Sequence, residues 1–169
     1  MQDNIVLIGM PGAGKSTVGV LLAKVLKMPF IDTDLLIQSN CNRLLQEIID
    51  TDGFEKFLNI EENIILGLDL KNHLISTGGS VIYRNTSMEM LKKSGIVIYL
   101  KIEYTDMIKR IKNIQTRGIA MGNCKNLKCL FEERAPLYQK YADITVECTG
   151  RHVEDVLIEI RDLLHKKLN

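Results

Sequence analysis

Residues 9–17 read GMPGAGKST, and this stretch decides the fold. Gly9, four intervening residues, Gly14, Lys15 and Ser16 complete the Walker A pattern. The run before it, Asn4–Ile8 (NIVLI), suits a strand buried on both faces. After it, Val18, Leu21, Leu22, Val25 and Leu26 recur at helical spacing, which predicts a helix over Lys15–Leu26. Strand, glycine-rich loop and helix are the setting an anion-binding loop requires. Glycines let successive backbone N–H groups turn inward as a nest, and the helix start adds its positive dipole end. The backbone of Gly12, Ala13, Gly14, Lys15, Ser16 and Thr17 is therefore expected to cradle the phosphates of ATP. The Lys15 ammonium would reach the terminal phosphates, and the Ser16 hydroxyl would ligate Mg2+. A plain strand-to-helix turn would need the glycines but neither the lysine nor the serine.

Short apolar runs alternate with amphipathic segments along the rest of the chain. Further strands are expected at 29–32, 73–79, 96–102 and 143–148. Helices are expected at 35–40, at 43–70 with an interruption near Asp52 and Gly53, at 87–95 with a stop at Gly95, and at 103–113. Two more are expected at 127–142, with a kink or break near Pro136, and at 153–168. The alternation predicts the α/β class: a three-layer α/β/α sandwich with a five-stranded parallel sheet, the P-loop NTPase fold. The 169 residues suit a single domain. A helical insertion at about 33–61 and a lid at about 112–126 are the segments expected to move.

A net charge of +1 points to neither nucleic acid nor an anionic membrane as partner. No apolar run approaches the roughly 20 residues of a membrane span. The opening Met1-Gln2-Asp3-Asn4 lacks the basic start of a signal peptide, so a cytoplasmic protein with a small-molecule partner is expected. Cys41, Cys124, Cys129 and Cys148 contain no CxxC pair and are expected as reduced thiols.

The phosphate loop alone does not say where a phosphoryl group goes. A switch GTPase needs a base-reading Asn-Lys-x-Asp, and neither NIQT nor NLKC substitutes for it. A motor ATPase needs an acid after the third strand, which here ends in Thr77-Gly78-Gly79. The acids follow the second strand instead, as Asp32-Thr33-Asp34. Two carboxylates one residue apart on a strand point the same way, and this sheet edge is where ligands gather. Asp32 is expected to organise Mg2+ and its waters, and Asp34 to hold an acceptor hydroxyl or take its proton. The alternative is a pair of acids that cap the next helix.

With GMPGAGKSTVG, FIDTD (30–34), TGGS (77–80), ERAPLYQKYAD (133–143) and VECTGR (146–151) in this order, the chain resembles the shikimate kinase family. The resemblance runs nearly end to end. It implies a small monomeric kinase of the nucleoside-monophosphate-kinase type that transfers the ATP γ-phosphate to the 3-hydroxyl of shikimate with Mg2+. It implies phosphate roles for Lys15 and Ser16, Mg2+ support by Asp32, and acceptor-hydroxyl and base roles for Asp34. Gly78 and Gly79 would let the backbone approach the acceptor, Arg117 would close the lid, and Arg134 would bind the acceptor carboxylate. Arg110 and Arg151 would flank adenine.

The departures fall on the acceptor side. Where the family carries Phe-Arg-x-x-Glu, this chain has Phe57-Leu58-Asn59-Ile60-Glu61. Losing one charge-assisted contact of this kind costs about 1.5–3 kcal/mol. Ser80 replaces a third glycine, and Gly118 follows Arg117 where the family has proline. Arg84 would be either a replacement cation or an exposed charge beside a helix. Three readings stay open: a shikimate kinase, a same-fold kinase for another hydroxylated metabolite such as a sugar acid or nucleoside-like polyol, and a nucleotide sensor without transfer.

Overall fold

The computed structural model describes residues 4–111 and 118–168. Five strands, β1 (Asn4–Ile8), β2 (Phe30–Asp32), β3 (Leu74–Ser76), β4 (Gly95–Lys101) and β5 (Ile144–Glu147), form one sheet in the order β2-β3-β1-β4-β5. Every pairing is parallel, as the alternation predicts. All five residues of β1 are buried, which explains why its sequence shows no polar alternation.

Eight helices connect and cover the strands among the described residues: α1 (Lys15–Leu26), α2 (Thr33–Cys41), α3 (Leu45–Asp52), α4 (Phe54–Leu66), α5 (Asn85–Ser94), α6 (Tyr104–Arg110), α7 (Leu127–Tyr141) and α8 (Val153–Leu168). From β1 the chain crosses through α1 toward β2; from β3 it crosses back through α5 toward β4. Right-handed crossovers in opposite directions put α1 and α5 on opposite faces of the sheet. α1 packs on β3 and α8, while α5 and α7 pack on β4. The point of reversal lies at β1, where the C-terminal strand ends open a crevice for ligands.

α1 lies close to the sheet because its face carries Gly19. A Cβ built there would stand 2.6 Å from Phe30 Cε2 and 3.2 Å from Leu74 Cδ2. The main core joins β1, β3 and β4 to α1, α5, α7 and α8. A second, smaller apolar cluster holds Ile37, Leu45, Ile48, Phe57, Leu58 and Ala120. It belongs to α2, α3 and α4, with Ala120 reaching in from the segment before α7.

Three local expectations change. Gly95 is the first residue of β4 rather than only a helix stop, since a side chain there would collide with the Asn4 carbonyl of β1. α7 runs unbroken through Pro136, which sits on its exposed face, where water can serve the carbonyl that loses its N–H partner. Cys124 and Cys129 are joined as a disulfide, with Cα atoms 5.5 Å apart, so only Cys41 and Cys148 are free thiols. The chain folds back between residue 124 and the third residue of α7, and that brings the two sulfurs together. No helix among the described residues is long and apolar enough to cross a membrane.

Candidate active site

The phosphate loop joins β1 to α1. Gly12 (φ 80°) and Gly14 (φ 90°) hold left-handed backbone, which turns the loop's N–H groups toward one side. Gly14 is the N-cap of α1 and no side chain caps that helix, so its first N–H groups face the cavity. The Lys15 ammonium donates to the carbonyls of Gly9 (2.8 Å) and Met10 (3.0 Å). Burial lowers its pKa to about 8, against the raising effect of Asp34 and Asp32.

Asp32 and Asp34 do not share a strand as expected. Asp32 ends β2, while Asp34 stands in the first turn of α2. The two readings of these acids prove compatible. Asp32 caps α2, its Oδ1 accepting from the Asp34 N–H at 3.0 Å, and its Oδ2 accepts from the Ser16 hydroxyl at 2.7 Å. Ser16 and Asp32 thus form an oxygen pair beside the loop, a donor set that fits a hard cation such as Mg2+. Burial and the charge of Asp32 raise the Asp34 pKa to about 6, against the opposing Lys15 charge. Its Oδ1 is buried and unpartnered.

A cavity of about 450 Å3 runs from this loop across the sheet edge. Gly12, Gly14, Lys15, Ser16 and Thr17 line its donor end. Asp34, Phe57, Gly79, Ser80 and Arg134 line the other. Glycines after β3 make the acceptor end possible. A Cβ on Gly78 would fall 2.5 Å from Glu61 Oε1 and 2.6 Å from Asp34 Oδ1, and one on Gly79 would fall 3.0 Å from Arg134 Nη1. Ala13 belongs to the loop but is buried, its N–H bonded to the Met10 carbonyl at 3.0 Å.

Arg134 is buried at 1% exposure, so it is not a surface ion-pair partner. Its Nε donates to the Tyr83 hydroxyl at 3.1 Å and its Nη2 donates to the Ala120 carbonyl. Leu58 is buried in the smaller apolar cluster. Glu61 has both carboxyl oxygens buried without a hydrogen-bond partner, with Ser80 beside it. Burial, aided by the Asp34 charge, raises the Glu61 pKa to about 8. Arg84 does not replace the missing cation. It binds Glu55 (2.9 Å) and Asn59 (2.8 Å) and lies near Glu62.

Arg110 and Arg151 line a side cavity next to Gly12, Gly14 and Thr17. Arg110 donates to Asp106 (3.0 Å) and to the Cys148 carbonyl (3.2 Å). Arg151 donates to the Glu147 carbonyl (2.9 Å) and pairs with Glu159. Arg117 lies outside the described residues; the next residue, Gly118, lines the main cavity. Sequence reasoning missed Tyr83 and Tyr138, whose hydroxyl donates to the Gly79 carbonyl at 2.6 Å. It missed the disulfide too, for which the five-residue spacing of Cys124 and Cys129 was the only signal.

Residues 11–165 match the shikimate kinase family. The shikimate kinase of Caldanaerobacter subterraneus subsp. tengcongensis is 34% identical over 162 residues, covering 94% of each chain. That of Clostridium botulinum is 37% identical, covering 95% of each. The solved shikimate kinase from Acinetobacter baumannii in complex with shikimate superposes with a TM-score of 0.90 at 30% identity, over 98% of this chain and 94% of that one. A phosphate loop opening α1, an acid pair after β2 and a buried arginine on α7, in a chain matched along nearly its whole length, make this protein a member of the shikimate kinase family.

Proposed function

We propose that the protein transfers the γ-phosphoryl group of ATP to a hydroxyl of shikimate, giving ADP and shikimate 3-phosphate. One observation carries the reading: a single cavity joins the phosphate loop to Asp34 and Arg134, so that donor, base and carboxylate partner face one space. The helix insertion at about 33–61 and the lid expected at about 112–126 would close that space, with Arg117, which lies outside the described residues, as the lid cation. The loop N–H groups and the start of α1 hold the phosphates, and Lys15 meets the charge that gathers on the transferring group. Arg110 and Arg151 flank the adenine.

Asp34 acts at the acceptor. A carboxyl of pKa about 6 is largely ionised at neutral pH, yet still basic enough to take the hydroxyl proton as oxygen bonds to phosphorus. Gly78 and Gly79 leave room for the acceptor ring against the backbone. Arg134 pairs with the acceptor carboxylate. Ser16 and Asp32 would hold Mg2+, which when bound neutralises phosphate charge. The protein would act as a monomer in the cytoplasm.

Leu58 and Ser80 favour a second reading, a same-fold kinase for another small hydroxylated acid or polyol. Incubation with Mg·ATP and a panel of hydroxylated acids and nucleosides, following ADP, separates the two. Turnover with shikimate at millimolar or lower concentration is expected. Turnover only with another acceptor gives the second reading, and ATP binding without acceptor-dependent turnover gives a sensor.

A further inference from the structure

Among the described residues lining the acceptor end, Arg134 supplies the cation, while Leu58 is packed away in the smaller cluster. A carboxylate gripped by two arginines is oriented from two sides. With one, the orientation must come from how firmly that guanidinium is held. We infer that Tyr83 is the positioning residue that fixes Arg134, and that through it the protein selects an acceptor bearing a carboxylate. This rests on the acceptor reading above.

Tyr83 meets the guanidinium at two points. Nε donates to the Tyr83 hydroxyl at 3.1 Å. Cζ lies 5.0 Å from the centre of the Tyr83 ring, within cation–π range. The Tyr83 hydroxyl donates its own proton to Glu133, the neighbour of Arg134 on α7, so toward Nε it presents only a lone pair. Arg134 Nη2 is taken by the Ala120 carbonyl, and Nη1 is left facing Gly79 and the cavity.

Tyr83 is itself fixed. It ends a single 3-10 turn, Val81–Tyr83, that starts directly after Gly79 and Ser80, with its N–H bonded to the Ser80 carbonyl at 2.9 Å. The Phe54 and Tyr83 rings pack edge to face, with centroids 5.6 Å apart at 85°. The turn that brings the backbone of Gly79 to the acceptor therefore also carries a partner of Arg134. Without the Tyr83 hydroxyl, Nε would lose that partner, leaving the Ala120 carbonyl and the neighbouring Tyr138 to hold the group.

Tyr83→Phe tests this, since it keeps the ring and its contact with Phe54 while removing the hydroxyl. Kinetics are measured with shikimate and with its uncharged methyl ester. The KM for shikimate is expected to rise about tenfold, as for loss of one hydrogen bond to a charged group, while the KM for ATP stays within about twofold. The preference for shikimate over the ester, as a ratio of kcat/KM, should fall by the same factor. A merely structural role would weaken both acceptors in parallel, and that result, or no change, overturns the inference. If the wild-type protein turns over neither acceptor, the proposed function fails separately. Arg134 is then read directly by 15N NMR, its signal assigned through Arg134→Lys. Tyr83→Phe is expected to speed rotation about Cζ–Nε and exchange of the Nε proton, and unchanged rates overturn the inference.

Discussion

The donor end of the cavity is built mainly from backbone and the acceptor end mainly from side chains. At the donor end, left-handed glycines and the uncapped start of α1 aim N–H groups, and Lys15 and Ser16 finish the loop. At the acceptor end the work falls to Asp34, Glu61 and Arg134, carried on α2, α4 and α7. A backbone site tolerates almost no change, because its geometry is the chain itself. A side-chain site can be altered one residue at a time, and the two departures from the family pattern noted in the sequence, Leu58 and Ser80, fall on this side.

The sharpest way to break this contrast is at Asp34, which lines the acceptor end and feels the charge of Lys15 at the donor end. Asp34→Asn should lower phosphoryl transfer by about 10²–10⁴-fold, the usual contribution of a general base. The dissociation constant for ATP should hold, because the phosphate contacts belong to the loop. Single-turnover transfer and nucleotide titration measure the two separately, and retained turnover would remove Asp34 from the base role.

Leu58→Arg probes the acceptor end alone. The new guanidinium would lie three residues before Glu61, on the same face of α4, and could pair with it. Shikimate binding should tighten by about tenfold or more, the worth of a charge-assisted contact, with the KM for ATP unchanged. An unchanged KM for shikimate would mean that the acceptor end differs by more than that one position.

The smallest effect is a slope in stability. Burial raises the Glu61 pKa from 4.5 to about 8, so the folded protein keeps a proton that the unfolded chain releases. Stability is therefore complete below about pH 4.5 and falls as pH rises through about 8. Asp34 acts in the same direction, but its window, from 3.8, closes at about 6. Lys15, lowered from 10.5 to about 8, adds its own dependence only above that value. Between about pH 6 and 8 the melting temperature should fall, and Glu61→Gln should flatten that fall. An equal slope in the variant would show that Glu61 does not carry the buried proton.

The same division explains what could be read before the structure. The loop, the sheet and α1 were legible because buried parallel strands show as unbroken apolar runs and glycine spacing records backbone shape. Asp32 and Asp34 were legible as a pair, although their division between β2 and α2 was not, since a three-residue strand has no period of its own. The alignment of Leu58 with a missing cation could be seen from the motif. Its burial in a separate apolar cluster with Ala120 could not, because that cluster gathers residues up to 62 positions from Leu58. Tyr83 carried no signal at all: within SVIY it reads as one more apolar residue, and its partners Glu133 and Arg134 lie about 50 residues away.

Gly19 shows how far a spacing can be governed from. It touches no ligand-facing atom, yet its missing methyl lets α1 rest on Phe30, two residues before Asp32, while Ser16 rides three residues before it on the same helix. The 2.7 Å between the Ser16 hydroxyl and Asp32 is thus gauged by a helix-to-sheet contact beneath the loop. In tolerance terms, the reference surface for the cation-facing oxygens is the packed floor of the protein, and the loop above it inherits that fit.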